Sequence, residues 1–317
     1  MKNKPADIPY GGLDEKRIKS AKPKFHEEHL EMFREFVLER YRIHIRKDVE
    51  KKPFPWTENP VLKEYKFTNV RREHDRTTKH LLSAIKLHKD SSYNDKLMNI
   101  VLYRLFNKME TFDRIGWVRW SRFDEGGIRE RLLATPKDVR IYTDAFMTSG
   151  MMREMNKQFP NEKFTPMNIL NVLNRDKFKL VKGIKGAETP SEVIEALTDI
   201  PGISSFLAYQ IFVDFTYLPE FPWSENEFVL SGPGCSRGLS NLFKDKGGLT
   251  DEELLFWLRD NCPFTQEELD EVMTDLPKRE RRMNVMSLEN CMCELSKYVK
   301  TKEGTGKPRN KYKRKEI

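Results

Sequence analysis

The sequence predicts an all-α fold on three observations. Apolar residues recur at three- and four-residue steps almost throughout, helix-start signals are unusually clear, and no segment alternates apolar and polar residues as a half-buried strand does. The first stripe lies in residues 26–47, with Leu30, Phe33, Phe36, Val37 and Tyr41. Further helices are expected at 75–88 and 93–109, the second with Leu97, Ile100, Val101 and Leu105 on one face. In the C-terminal half, Thr189-Pro-Ser-Glu192, Thr250-Asp-Glu-Glu253 and Thr265-Gln-Glu-Glu268 fit the capping box, in which two side chains satisfy the N–H groups that a helix start leaves without partners. Pro190 stands at the first helical position, where its missing N–H costs nothing.

The 317 residues suffice for a large core, read as one elaborated helical domain over 26–298, between a flexible N-terminal arm (1–25) and a basic disordered tail (299–317). The sequence contains no run of about 18 apolar residues and its N-terminus lacks the apolar stretch of a signal peptide, so a soluble, cytoplasmic protein with no membrane partner is expected. The four cysteines, Cys235, Cys262, Cys291 and Cys293, are too few and too unevenly placed for a disulfide framework, and are read first as buried thiols. Net charge is +8, and the tail alone, with eight Lys/Arg against two Glu, supplies +6 of it. Such a balance suits a polyanionic partner, while a solubilising tail accounts for it equally well.

Residues 190–215 (PSEVIEALTDIPGISSFLAYQIFVDF) read as a capped helix, an Ile-Pro-Gly-Ile turn and a second helix starting near Ser204. In a helix-hairpin-helix, such a turn aims the N–H groups of the second helix at a DNA phosphate, so Pro201, Gly202 and Ser204 are the DNA-binding candidates. An ordinary αα-hairpin in a helical core is the bland alternative. Further on, Ser231-Gly232-Pro233-Gly234-Cys235-Ser236-Arg237 combines a sharp turn with a helix start near Cys235, hydroxyls and a guanidinium, as a phosphate or pyrophosphate site requires. It follows an acidic cluster, Glu225-Asn226-Glu227. A third constellation, Asn69-Val-Arg-Arg72-Glu73-His-Asp75-Arg76, places Asn69, Arg72, Glu73 and Arg76 on one face if residues 69–80 are helical. A solvated, ion-paired helix is the commoner meaning of such a run.

The hairpin resembles that of the helix-hairpin-helix DNA glycosylase superfamily, which implies a glycosylase-like helical fold with additional N-terminal helices. Two departures from that pattern are that Ser204 stands where a second glycine is usual, and that no V-D-x-H segment follows. Four blocks together, PWTENPVLKEYKFTNVRREHDRTT, LTDIPGISSFLAYQIFVDF, SENEFVLSGPGCSRGL and SLENCMCELSKYVK, resemble the α-glutamyl/putrescinyl thymine pyrophosphorylase family of phage DNA hypermodification enzymes, in that family's order over residues 53–298. The resemblance implies an enzyme acting on DNA that carries 5-pyrophosphoryloxymethyl-deoxyuridine, in which an amino acid or polyamine displaces pyrophosphate. A related helical domain is fused to 5-hydroxymethyluracil DNA kinases, but this sequence has no P-loop motif.

On that reading, a carboxylate among Glu227, Glu225, Glu73 and Asp75, Glu227 first, takes the proton of the attacking amine. Arg237, Gly232, Gly234, Arg72, Arg76 and Asn69 would bind the departing pyrophosphate. Asn226, Cys235, Cys293, Glu294 and Lys297 form a second rank, with a thiolate addition to the base by Cys235 or Cys293 as an alternative route. Trp56, Trp120 and Trp223 are candidate stacking surfaces for an extruded nucleotide. No metal ligand set is legible; Mg²⁺ is the one cofactor candidate, since pyrophosphate commonly travels with it. Two rival readings stand beside this one: a DNA glycosylase acting on a modified pyrimidine, and a non-catalytic DNA-binding helical module.

Overall fold

A computed structural model describes residues 13–136, 138–143, 168–308 and 310–312. Helices dominate them, and the only strands among the described residues are β1 (Lys24–Phe25) and β2 (Phe243–Asp245), paired antiparallel. The chain divides into two compact units, one spanning Arg76–Ser224 and the other formed by the described residues up to Asp75 together with those from Glu225 on.

The discontinuous unit begins with α1 (Glu15–Ser20), α2 (Glu27–His44) and α3 (Pro60–Glu64). Residues 13–25, expected to belong to a loose arm, instead carry a helix capped by Asp14 and a strand whose Phe25 stacks on Phe243 at 4.7 Å. Residues 1–12 lie outside the described residues. The stripe on α2 buries Phe33, Phe36, Val37 and Tyr41 as its spacing predicts.

The continuous unit contains α4 (Arg76–Leu87), α5 (Tyr93–Phe106), α6 (Met109–Ile115), α7 (Glu125–Leu133), α8 (Asn168–Gly186), α9 (Pro190–Thr198) and α10 (Ser205–Phe215). Every residue of α5 from Asp95 to Phe106 is buried, as is every residue of α10 from Leu207 to Phe215. Helices buried all round belong at the centre of a core, and these two are its axis. They are joined by a fully buried ion pair, in which Arg104 donates through Nε and through Nη2, at 2.8 Å, to the two carboxylate oxygens of Asp214. Thr78 and Asn107 accept from Nη2 and Nη1, so the buried charge is paired with Asp214 and four of its five N–H groups have acceptors.

The chain then returns to the discontinuous unit with α11 (Pro233–Leu242), α12 (Asp251–Asp260), α13 (Gln266–Val272) and α14 (Val285–Lys302). All three expected capping boxes form, at Thr189, Thr250 and Thr265. The tail begins as the last turn of α14, and beyond it Lys311 pairs with Glu64 at 2.5 Å while the Tyr312 ring packs on Trp56. Residues 313–317 of the tail lie outside the described residues.

Candidate active site

The helix expected at 75–88 forms as α4, but residues 69–75, which would have to be helical for Asn69, Arg72, Glu73 and Arg76 to share a face, fold otherwise. Asp75 accepts from both the backbone N–H and the side-chain amide of Asn69, at 3.0 Å each, which closes a loop over 69–75 with a single 3₁₀ turn at Arg72–His74. Asn69 is itself buried: its Oδ1 accepts from Arg40 at 2.8 Å, its amide donates to the His74 carbonyl, and its carbonyl accepts from Asn290 on α14. Asn69 and Asp75 are thus the lock of this loop. The single face of Asn69, Arg72, Glu73 and Arg76 does not exist, and Arg76 opens α4 in the other unit.

The loop delivers Arg71, which the sequence reading passed over for its neighbours. Arg71 is buried and bridges two of the expected carboxylates, Glu73 at 2.7 Å and Glu225 at 3.6 Å, with a further hydrogen bond to the Arg282 carbonyl. Burial opposes its charge, but the two carboxylates outweigh burial and raise the guanidinium pKa. Glu225 also accepts from Asn284 at 2.8 Å, and Asn226 accepts from the N–H of Val285, so this acidic turn is pinned to the start of α14. Glu227 is on the same turn, exposed.

A second cluster forms where α11 crosses α14. Gly234 and Gly238 let the helices meet: a Cβ on Gly238 would lie 2.0 Å from the Met292 carbonyl oxygen, and one on Gly234 would lie 3.3 Å from Cys293 Sγ. Gly234, expected to admit a phosphate, therefore first admits α14, and Gly232 is the N-cap of α11. Beneath this crossing Glu289 is buried, 3.3 Å from Cys293 Sγ, and burial pushes its carboxyl up to about 7 despite that hydrogen bond and the positive Arg72. Burial, followed by the charge of Glu289, pushes the thiols of Cys235 and Cys293 up as well. A thiolate nucleophile at either position is disfavoured by its surroundings.

The remaining expected residues are dispersed. Arg237 is exposed on α11. The turn before it is held by acids, with the Ser231 N–H donating to Glu252 at 2.9 Å and its hydroxyl to Asp251 at 3.4 Å. Glu294 is buried and pairs with half-exposed Lys297 at 2.6 Å, the i, i+3 helix pair. In the continuous unit the Ile-Pro-Gly-Ile turn joins α9 to α10 as spaced in the sequence. Gly202 is buried at φ +93°, and the Ser204 hydroxyl caps α10 by accepting from Leu207 N–H. Trp56, Trp120 and Trp223 each pack on aromatic neighbours, Tyr312, Phe178 and Phe221 respectively.

The model of the family described as "5-hmdU DNA kinase, helical domain" matches residues 27–307. The chain belongs to that family. It is also similar to the 5-hmdU DNA kinase of Bacillus phage SP10, with 27% identity over 280 residues, covering 83% of this chain and 43% of that protein. The chain therefore spans less than half the length of that relative. No solved structure matches it. Among the described residues, no helix is long and apolar enough to cross a membrane.

Proposed function

We propose that this chain is a DNA hypermodification enzyme that displaces pyrophosphate from 5-pyrophosphoryloxymethyl-deoxyuridine in DNA with an amino acid or polyamine. Membership of a family named for a kinase of 5-hmdU DNA supports the substrate class. The sequence has no P-loop motif with which to hold a phosphoryl donor. The observation that carries the reading is the junction at the α11 start, where Gly234 packs against Cys293, the Cys293 thiol is hydrogen-bonded to a carboxyl pushed up to about 7, and Arg72 is close enough to act on its charge.

In the reaction the amine nitrogen forms a bond to the 5-methylene carbon as the carbon–oxygen bond to pyrophosphate breaks, and the proton lost by the amine passes to a carboxylate. Glu289 fits that role better than the exposed Glu227, because a base whose pKa lies near the working pH is both available and strong enough. The α11 N–H groups and Arg72 supply the positive field in which pyrophosphate leaves. The hairpin turn at Pro201–Ser204 is the means of holding the DNA backbone without reading sequence.

The test is incubation of the protein with DNA carrying 5-pyrophosphoryloxymethyl-deoxyuridine and a pool of amino acids and polyamines, then nuclease digestion and mass spectrometry of the nucleosides. An amine-bearing nucleoside with release of pyrophosphate is expected. Abasic sites would replace this reading with a glycosylase, and unchanged but tightly bound DNA would replace it with a binding module.

A further inference from the structure

We infer that His44, His74 and Asp275 form a binding site for one divalent transition-metal ion of the zinc type. The three come from distant parts of the chain, α2, the 69–75 loop and the turn after α13, yet one ligand atom of each lies within 4.8 Å of the others. Asp275 Oδ2 is 3.1 Å from His44 Nε2 and 3.3 Å from His74 Nε2. Ligand atoms about 2.0–2.1 Å from a tetrahedral zinc ion are about 3.3–3.4 Å apart, so the two histidine–aspartate spacings are close to the edges of a coordination tetrahedron.

The hydrogen bonds around the cluster orient it for a cation. His44 Nδ1 faces the Asp48 carboxylate at 3.1 Å, which fixes the ring with Nε2 directed at Asp275 Oδ2. The His44 and His74 rings are stacked with centroids 3.9 Å apart and both are buried, so two imidazole nitrogens converge on one carboxylate oxygen inside the protein. The Tyr41 hydroxyl donates to the other oxygen, Oδ1, at 2.9 Å, which leaves Oδ2 as the ligand atom. Asp48 behind His44 and Tyr41 behind Asp275 are the outer partners typical of histidine–carboxylate metal sites. Two imidazoles in the set select against Mg²⁺ and Ca²⁺, which prefer oxygen alone.

This site does not rest on the proposed reaction and is tested without it. The full chain, dialysed against chelator, is titrated calorimetrically with Zn²⁺ and with Mg²⁺ and, separately, with Co²⁺ followed by visible absorption. We expect one Zn²⁺ per chain with a rise in melting temperature, no response to Mg²⁺, intense visible bands from four-coordinate Co²⁺, and shifts of the His44 and His74 imidazole resonances on adding Zn²⁺. Asp275→Asn should abolish the stoichiometric uptake, and Asp48→Asn should weaken it about 10–100-fold. Absence of Zn²⁺ uptake by the parent chain, uptake unchanged in Asp275→Asn, or imidazole resonances of these two histidines that ignore Zn²⁺ would overturn the assignment.

Discussion

Glu289→Gln separates what burial does to stability from what it does to chemistry. The carboxyl ionises near 4.5 in an unfolded chain and at about 7 in the folded one, because its buried site disfavours the carboxylate. The folded state therefore holds a proton that the unfolded state has released across this interval. The contribution is fully present below pH 4.5, falls by about 1.4 kcal/mol per pH unit, and is gone once pH passes 7, a total of about 3 kcal/mol. Glutamine has the shape of the neutral acid and does not titrate. Urea unfolding of parent and variant should therefore differ little near about pH 4.5, with the variant gaining about 3 kcal/mol relative to the parent by about pH 8. Amine transfer should show the opposite pattern, with the parent's rate rising through an inflection near 7 and the variant inactive throughout. A stability difference that stays constant across pH would refute the claim that burial holds this proton. An active variant would remove Glu289 from the reaction.

Other consequences follow from the packing. Asp214→Asn leaves the fully buried Arg104 charge uncompensated and should cost about 3–5 kcal/mol in a denaturant titration. Gly238→Ala puts a methyl group 2.0 Å from the Met292 carbonyl oxygen, so α11 and α14 must separate, with an expected loss of about 1–3 kcal/mol and a lower melting temperature. Gly202→Ala asks alanine to adopt φ +93° in the hairpin turn, and should weaken binding to DNA of any sequence by a similar factor in a salt-controlled fluorescence assay. Iodoacetamide should label Cys235, Cys291 and Cys293 slowly in the folded chain and rapidly in urea, as expected of thiols that burial keeps protonated.

Where local chemistry decides the outcome, the sequence was readable. The three capping boxes, the α2 stripe and the Pro-Gly hairpin depend on residues within four positions of one another, and each forms at its expected place. The 69–75 loop is not legible in the sequence because Asp75 accepts from the Asn69 N–H, a contact across six residues that helical periodicity does not weigh. Arg71 stood beside two equally basic neighbours, and only its burial against Glu73 and Glu225 distinguishes it. Glu289 had a visible signal: it lies on the apolar stripe of Val285, Leu288, Met292, Leu295 and Val299, where an acid is out of place. The histidine cluster had none, since His44, His74 and Asp275 are related only by the tertiary fold.

Burial acts on Glu289 and on the cysteines in the same sense and with opposite consequences. Each group is pushed towards its neutral form. For a thiol that starts near 9 the push removes the thiolate from the physiological range, and with it any covalent route through Cys235 or Cys293. For a carboxyl that starts at 4.5 the same push stops at about 7, the value at which one group both accepts and releases a proton at neutral pH. Gly234 and Gly238 let α11 and α14 cross closely, with Gly234 against Cys293, the residue hydrogen-bonded to Glu289, so Gly234, which the sequence offered as part of a phosphate turn, contributes by bringing two helices together. On the proposed reaction, this junction suits direct displacement assisted by a base better than a covalent adduct through Cys235 or Cys293.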